Sequence, residues 1–241
     1  MQEPAGGSMG RRALLVVFVV LLLIGAYGAY VVSYPEYPKV KGCVNPFAVT
    51  TPVSRVQENW SKVHVFFKLA TSRDFWKLAK PWDVDYSHVK IVKHTIEYKG
   101  EKITMLAMGI PLKDGKHVIA LYEFSKPVQG VKIKSYLLEI DNNSKSLKTI
   151  ALTTNGKYIP TDNCQYECNS DSDCGDFASC EPYCCKTDYW GIVRCCIQSC
   201  GYTCIRHPKE CIPCVIINCP WCLWDSCEEW GSKCVDWGNA P

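Results

Sequence analysis

Cysteine is almost missing from the first two-thirds of this chain: of 241 residues, those ahead of residue 164 include only Cys43. No glycine-rich phosphate loop and no serine nucleophile elbow occurs, and none of His64, His88, His94, His117 and His207 stands at metal-ligand spacing. Phosphate cradling, serine hydrolysis and histidine-metal chemistry therefore have no residues to rest on. An enzyme is not expected, and no catalytic residue, cofactor or metal is assigned. The lysines are dispersed, without the finger, stacking or basic-helix patterns that accompany nucleic-acid binding.

Charge is missing from Ala13 to Val32, twenty residues behind Arg11 and Arg12. Such a run is long enough to span a bilayer, and the small residues Ala26 and Gly28 also fit a cleavable signal. Residues 1–34 are thus expected to be a signal peptide or a membrane anchor. The basic pair on the leading side orients the rest outward, which makes the expected localisation extracytoplasmic, secreted or anchored by residues 13–32. Pro35, Pro38, Pro46 and Pro52 make 35–52 a spacer, since proline discourages regular structure.

Beyond the spacer, Thr51 supplies an N-cap with Pro52 at the first helical position. Val53, Val56, Trp60, Val63 and Phe67 recur at three and four residues, predicting an amphipathic helix to about Ala70 whose stripe packs on a sheet. Ser72 caps a second short helix through Phe75 and Leu78, closed by Pro81. The period then changes. Segments 89–98, 103–110, 117–124, 131–140 and 148–154 are rich in β-formers and separated by Gly100, Asp114/Gly115, Pro127/Gly130, Asn142/Asn143 and Asn155/Gly156, which predicts an antiparallel meander. The expected fold class is α+β: a helix packed on a meander sheet over 53–160, followed by a small disulfide-rich module over 161–241. Asn59 and Asn142 begin formal glycosylation acceptors.

After Pro160 the composition switches. Cys164, Cys168, Cys174, Cys180, Cys184, Cys185, Cys195, Cys196, Cys200, Cys204, Cys211, Cys214, Cys219, Cys222, Cys227 and Cys234 form an even set of sixteen, enough for eight disulfides whose connectivity the chain does not reveal. Recurrent spacings of four, as at Cys196, Cys200 and Cys204, put neighbours on one helical face. Cys211, Cys214, Cys219 and Cys222 have spacing tolerable for a zinc ribbon, and Cys219 to Cys222 resembles a thioredoxin-type pair; an oxidising destination favours structural bridges over both. Asp171, Asp173 and Asp176 look like the start of a calcium loop, but no matching final glutamate completes it. Trp190, Trp221, Trp224, Trp230 and Trp237 are the candidate interaction residues. A stapled module has little interior, so such rings, beside Ile192, Val193, Ile212, Val215, Ile216 and Ile217, are expected to stay partly exposed and available to an interface.

Charge divides the chain at the same place. Residues 1–160 carry 22 Lys and Arg against 12 Asp and Glu, net +10, whereas residues 161–241 carry 5 against 12, net −7. Opposite fields favour contact between 53–160 and 161–241, within one chain or between chains, and weaken with salt.

The strand phrase Lys102 to Ile110, the segment Ala120 to Phe124, and Cys200 with Gly201 and Cys204, set between a leader and a cysteine-rich end, resemble the halocin C8-like family of cysteine-rich peptide bacteriocin precursors. The resemblance implies a C-terminal peptide toxic to competing cells and a middle region that binds and neutralises it. The expected partners are then the two halves of the chain and a target-cell membrane or surface protein. The acidic, tryptophan-bearing tail departs from the small-residue apolar character of that family. The alternative expectation is a membrane-tethered adhesion or cell-surface interaction protein whose stapled module stays attached.

Overall fold

The computed structural model describes residues 14–23, 43, 45–141, 146–161, 163–176 and 178–236. Two compact units are present, Met1–Glu36 and Tyr37–Pro241. In the first, residues 14–23 are helical. No helix among the described residues is long and apolar enough to cross a membrane. The expected transmembrane anchor over 13–32, and the localisation that rested on it, are corrected by this finding. Arg11, Arg12, Ala13, residues 24–32, Pro35, Pro38, Asn142, Asn143 and Trp237 lie outside the described residues.

In the second unit nine strands make one sheet in the order β1-β2-β3-β4-β5-β6-β8-β9, with β7 also paired to β6. The strands are β1 Thr51–Glu58, β2 Lys90–Tyr98, β3 Glu101–Pro111, β4 His117–Val128, β5 Val131–Asp141, β6 Ser146–Thr154, β7 Lys157–Pro160, β8 Ala178–Asp188 and β9 Cys227–Asp236. All the ladders are antiparallel. Two-residue turns set the register: Lys99-Gly100 joins β2 to β3 and Gln129-Gly130 joins β4 to β5, each with φ positive at both residues. That backbone matches the right-handed twist of the flanking strands, and glycine adopts it without strain.

Residues 51–58 differ from expectation. They form edge strand β1, and helix α1 begins only at Lys62 and runs to Ala70, with the Ser61 side chain accepting from the His64 N–H. Thr51, Val53 and Val56 are β-branched and favour an extended chain, and the segment pairs antiparallel with β2 from Thr51 to Glu58, with a bulge at Val53. The predicted stripe also points the wrong way: Val63 and Phe67 are 64% and 61% exposed, while Val65 and Leu69 are buried. Helix α2, Arg73–Leu78, starts at Ser72, whose side chain accepts from the Phe75 N–H.

The sheet is covered on both faces. Ile91, Met108, Ile110, Ile119 and Leu121 pack with Val65, Leu69 and Phe75 of α1 and α2. The alternate residues Val92, Met105, Ala107, Val118, Ala120, Tyr122 and Phe124 pack with the cysteine-rich region. β4 is accordingly buried at five consecutive positions from Val118, the pattern of a strand with two dry faces.

The cysteine-rich region contributes both strands and helices. β8 pairs with β9 along its length, and its far end, Lys186 to Asp188, pairs with Lys148 to Ser146 of β6. Between β8 and β9 the chain forms α3 Tyr189–Cys195, α4 Ile197–Arg206, α5 Pro208–Asn218 and α6 Trp221–Asp225. All sixteen cysteines from Cys164 to Cys234 are paired, in two groups. Cys195–Cys222, Cys196–Cys219, Cys200–Cys214 and Cys204–Cys211 staple the helices. Cys164–Cys185, Cys168–Cys180, Cys174–Cys234 and Cys184–Cys227 staple the strands and the chain leading into them.

Candidate functional site

The most elaborated surface is the seam where α5 and α6 lie on the β2–β5 face. Cys211, Ile212, Val215, Ile216 and Ile217 of α5 are all buried, and a helix apolar on most sides needs cover on most sides. One side meets α4 through the bridges to Cys200 and Cys204; the other meets the sheet. β3 makes room with Gly109: a Cβ there would stand 3.0 Å from the Pro213 carbonyl oxygen and 3.0 Å from Ile217 Cγ2.

Polar groups fix the seat. The Tyr122 hydroxyl donates to the Ile216 carbonyl at 2.9 Å, and burial holds its phenol well above the usual tyrosine range. His94 Nε2 is 2.6 Å from the Ile217 carbonyl. Since a carbonyl only accepts, Nε2 carries the proton; burial depresses the ring's pKa below 6.5, opposed by the Ile217 hydrogen bond. Arg55 of β1 donates to the Asn218 carbonyl at 2.9 Å and to Ser199 Oγ at 2.6 Å, placing a cation at the C-terminal end of α5, where the helix dipole welcomes it.

Aromatic rings fill the rest. Phe47 meets Tyr122 edge-on at 4.9 Å and stacks on Trp224 at 5.9 Å; Trp224 stacks on Trp230 at 5.1 Å and meets Tyr136 edge-on at 5.8 Å. Each such pair contributes about 0.5–1.5 kcal/mol beyond its buried area. Beneath them Lys134 of β5 and Glu181 of β8, both fully buried, pair at 2.5 Å, with the ammonium 5.8 Å from the Trp224 ring centre. Desolvation raises the Glu181 pKa and the lysine holds it back. Lys90 and Glu210 make a second, more exposed pair across the seam at 3.5 Å.

The four described tryptophans of the candidate set therefore separate. Trp224 is buried, Trp221 and Trp230 are half-buried in the seam, and Trp190 is 55% exposed. Ile192, Val193, Ile212, Val215, Ile216 and Ile217, expected to border an exposed patch, are buried. Cys211, Cys214, Cys219 and Cys222 bond to four different partners in α3 and α4 or the joint between them, so they gather neither as a zinc site nor as a Cys219/Cys222 redox pair. The sulfurs of Cys168, Cys174 and Cys234 lie within 4.8 Å of one another, all consumed in bridges. Asp171 to Asp173 form a single helical turn in which Asp173 accepts from the N–H groups of Asn169 and Ser170.

Sequence reasoning missed Gly109, His94, Tyr122 and Lys134 as seat residues. The unbroken apolar run from Val118 to Leu121 was the available signal, because it leaves no solvent face for β4. At the open edge of the seam is a cleft of about 590 Å³ lined by Val53, Arg55, His94, Trp221 and Asp225 among others. No family model matches the chain, and no curated protein or solved structure matches it.

Proposed function

We propose that the chain is a bacteriocin-like precursor: residues from about 161 onward are the active cysteine-rich peptide, and residues 53–160 bind and neutralise it. The observation that supports this reading is the combination of an extensive seam with no disulfide across it. The eight bridges lie wholly within 164–234, so one cut between Thr161 and Cys164 leaves two chains joined by packing, hydrogen bonds and ion pairs such as Lys134–Glu181 and Lys90–Glu210, with no covalent link. Separation would uncover Ile212, Val215, Ile216, Ile217, Trp221 and Trp224, a contiguous apolar face of the kind that seats on a partner. In the joined state the sheet occupies that face.

The test uses the full chain with a protease site placed between Thr161 and Cys164. The nicked complex should leave indicator cells growing. The tail separated from it without reduction should inhibit growth, and adding back the sheet fragment should suppress inhibition. An oxidised tail inert across a broad panel of bacteria and archaea, or inhibition undiminished by the sheet fragment, overturns the reading.

A further inference from the structure

Cys43 takes no part in the eight bridges, yet its sulfur is not remote from them. Its Sγ lies 2.8 Å from Cys180 Sγ, beside the Asn169 carbonyl at 3.5 Å, and Cys180 is the buried partner of Cys168. Three sulfurs sharing one bond have two arrangements within reach. We infer that Cys43 and Cys168 exchange as partners of Cys180, so that the chain holds two disulfide isomers, Cys168–Cys180 and Cys43–Cys180. The Cys43 thiolate attacks Cys180 Sγ; the Cys43–Cys180 bond forms as the Cys168–Cys180 bond breaks. The electron pair leaves on Cys168 Sγ, which takes up a proton from solvent in place of the one Cys43 released. One thiol and one disulfide stand on each side of the step, so no oxidant or reductant is consumed.

The second isomer does something the first does not. It ties the segment ahead of β1 to β8, a covalent link from the N-terminal side of residue 161 into the cysteine-rich region. A cut between Thr161 and Cys164 would then no longer free that region. The exchange stands on sulfur geometry, and its test reads bonds, so it succeeds or fails apart from any antimicrobial role.

The surroundings set its rate. Burial, with Asp171, Glu181 and Asp173 facing the thiol and Lys134 opposing them, pushes Cys43 up to about 11. Little thiolate exists at neutral pH, and exchange should quicken about tenfold per pH unit towards that value.

The full-length oxidised chain, without added thiol, is incubated at about pH 7 and about pH 10, quenched in acid, thiol-labelled, digested without reduction and mapped by mass spectrometry. Label shared between Cys43 and Cys168, with the Cys43–Cys180 peptide pair growing faster at the higher pH, is expected. Label on Cys43 alone at both pH values overturns the inference. A Cys168→Ser chain oxidised in the same way should have no free thiol and a Cys43–Cys180 bridge; labelling of both Cys43 and Cys180 in that chain would also overturn it.

Discussion

Gly109→Ala should loosen the seam. The new methyl would meet Ile217 Cγ2 and the Pro213 carbonyl oxygen at 3.0 Å each and Ile216 Cδ1 at 3.4 Å. The isoleucine side chains can turn aside, but the carbonyl belongs to the backbone of α5, which the bridges from Cys211, Cys214 and Cys219 hold against its neighbours. The helix must lift by a few tenths of an ångström along its apolar side. Overpacking of this kind costs about 1–3 kcal/mol, and replacing a glycine inside a strand returns about 0.5–1 kcal/mol through backbone entropy. The net is a loss of about 1 kcal/mol, or about 2–4 °C in melting temperature for a body of this size. Calorimetry or urea unfolding of the full chain measures it, with Gly175→Ala, where a Cβ meets nothing within 4 Å, as the control expected to be neutral. Gly109→Ala melting at or above the wild type would refute the close seating of α5 on β3.

Three further outcomes follow from the same seam. Lys134→Met strands Glu181 in a dry site and should cost about 3–5 kcal/mol, whereas Lys134→Met with Glu181→Leu should recover most of it; urea midpoints of the two variants decide, and a double variant no better than the single one counts against the pairing. Tyr122→Phe removes a buried donor from the Ile216 carbonyl and should cost about 1–2 kcal/mol in the same assay. For His94 the folded pKa lies below 6.5, so in acid the unfolded chain takes up a proton that the folded chain resists. Stability should therefore fall as pH drops below about 6.5 and level off beneath the folded pKa; a His94→Gln chain showing the same slope over that window would place the titration elsewhere.

Much of the sheet was legible because its turns carry their own chemistry: Gly100, Gly130 and Gly156 sit where two-residue hairpins demand positive φ. Ser72 likewise marked α2 through its side-chain oxygen. β1 was not legible. Its first seven side chains are exposed, so no buried face imposes a period of two, and the chance spacing of Val53, Val56, Trp60, Val63 and Phe67 reads as a helix. The seam was half legible. Opposite net charges pointed to contact, but the seat at its centre is built from apolar residues, rings and single hydrogen bonds, none of which leaves a motif. The tryptophans were expected near the surface because a stapled module has little interior of its own; the sheet lends it one, and Trp224 occupies it.

The two disulfide groups also differ in how they can form. Drawn as arcs over the sequence, the four helical bridges nest one inside the next, with separations of 7, 14, 23 and 27 residues. The shortest loop, Cys204–Cys211, can close first, and each later closure then adds only a short extension, so the helical pair can zip from its turn outward at little extra entropic cost per step. Arcs of the strand group cross: Cys174–Cys234 and Cys184–Cys227 both leave the loop closed by Cys164–Cys185. No inside-out sequence of local closures produces that arrangement. Its long-range members must bring Cys227 and Cys234 back past the whole helical insertion, so pairing of β9 with β8 should follow closure of the helical pair, which it then encloses.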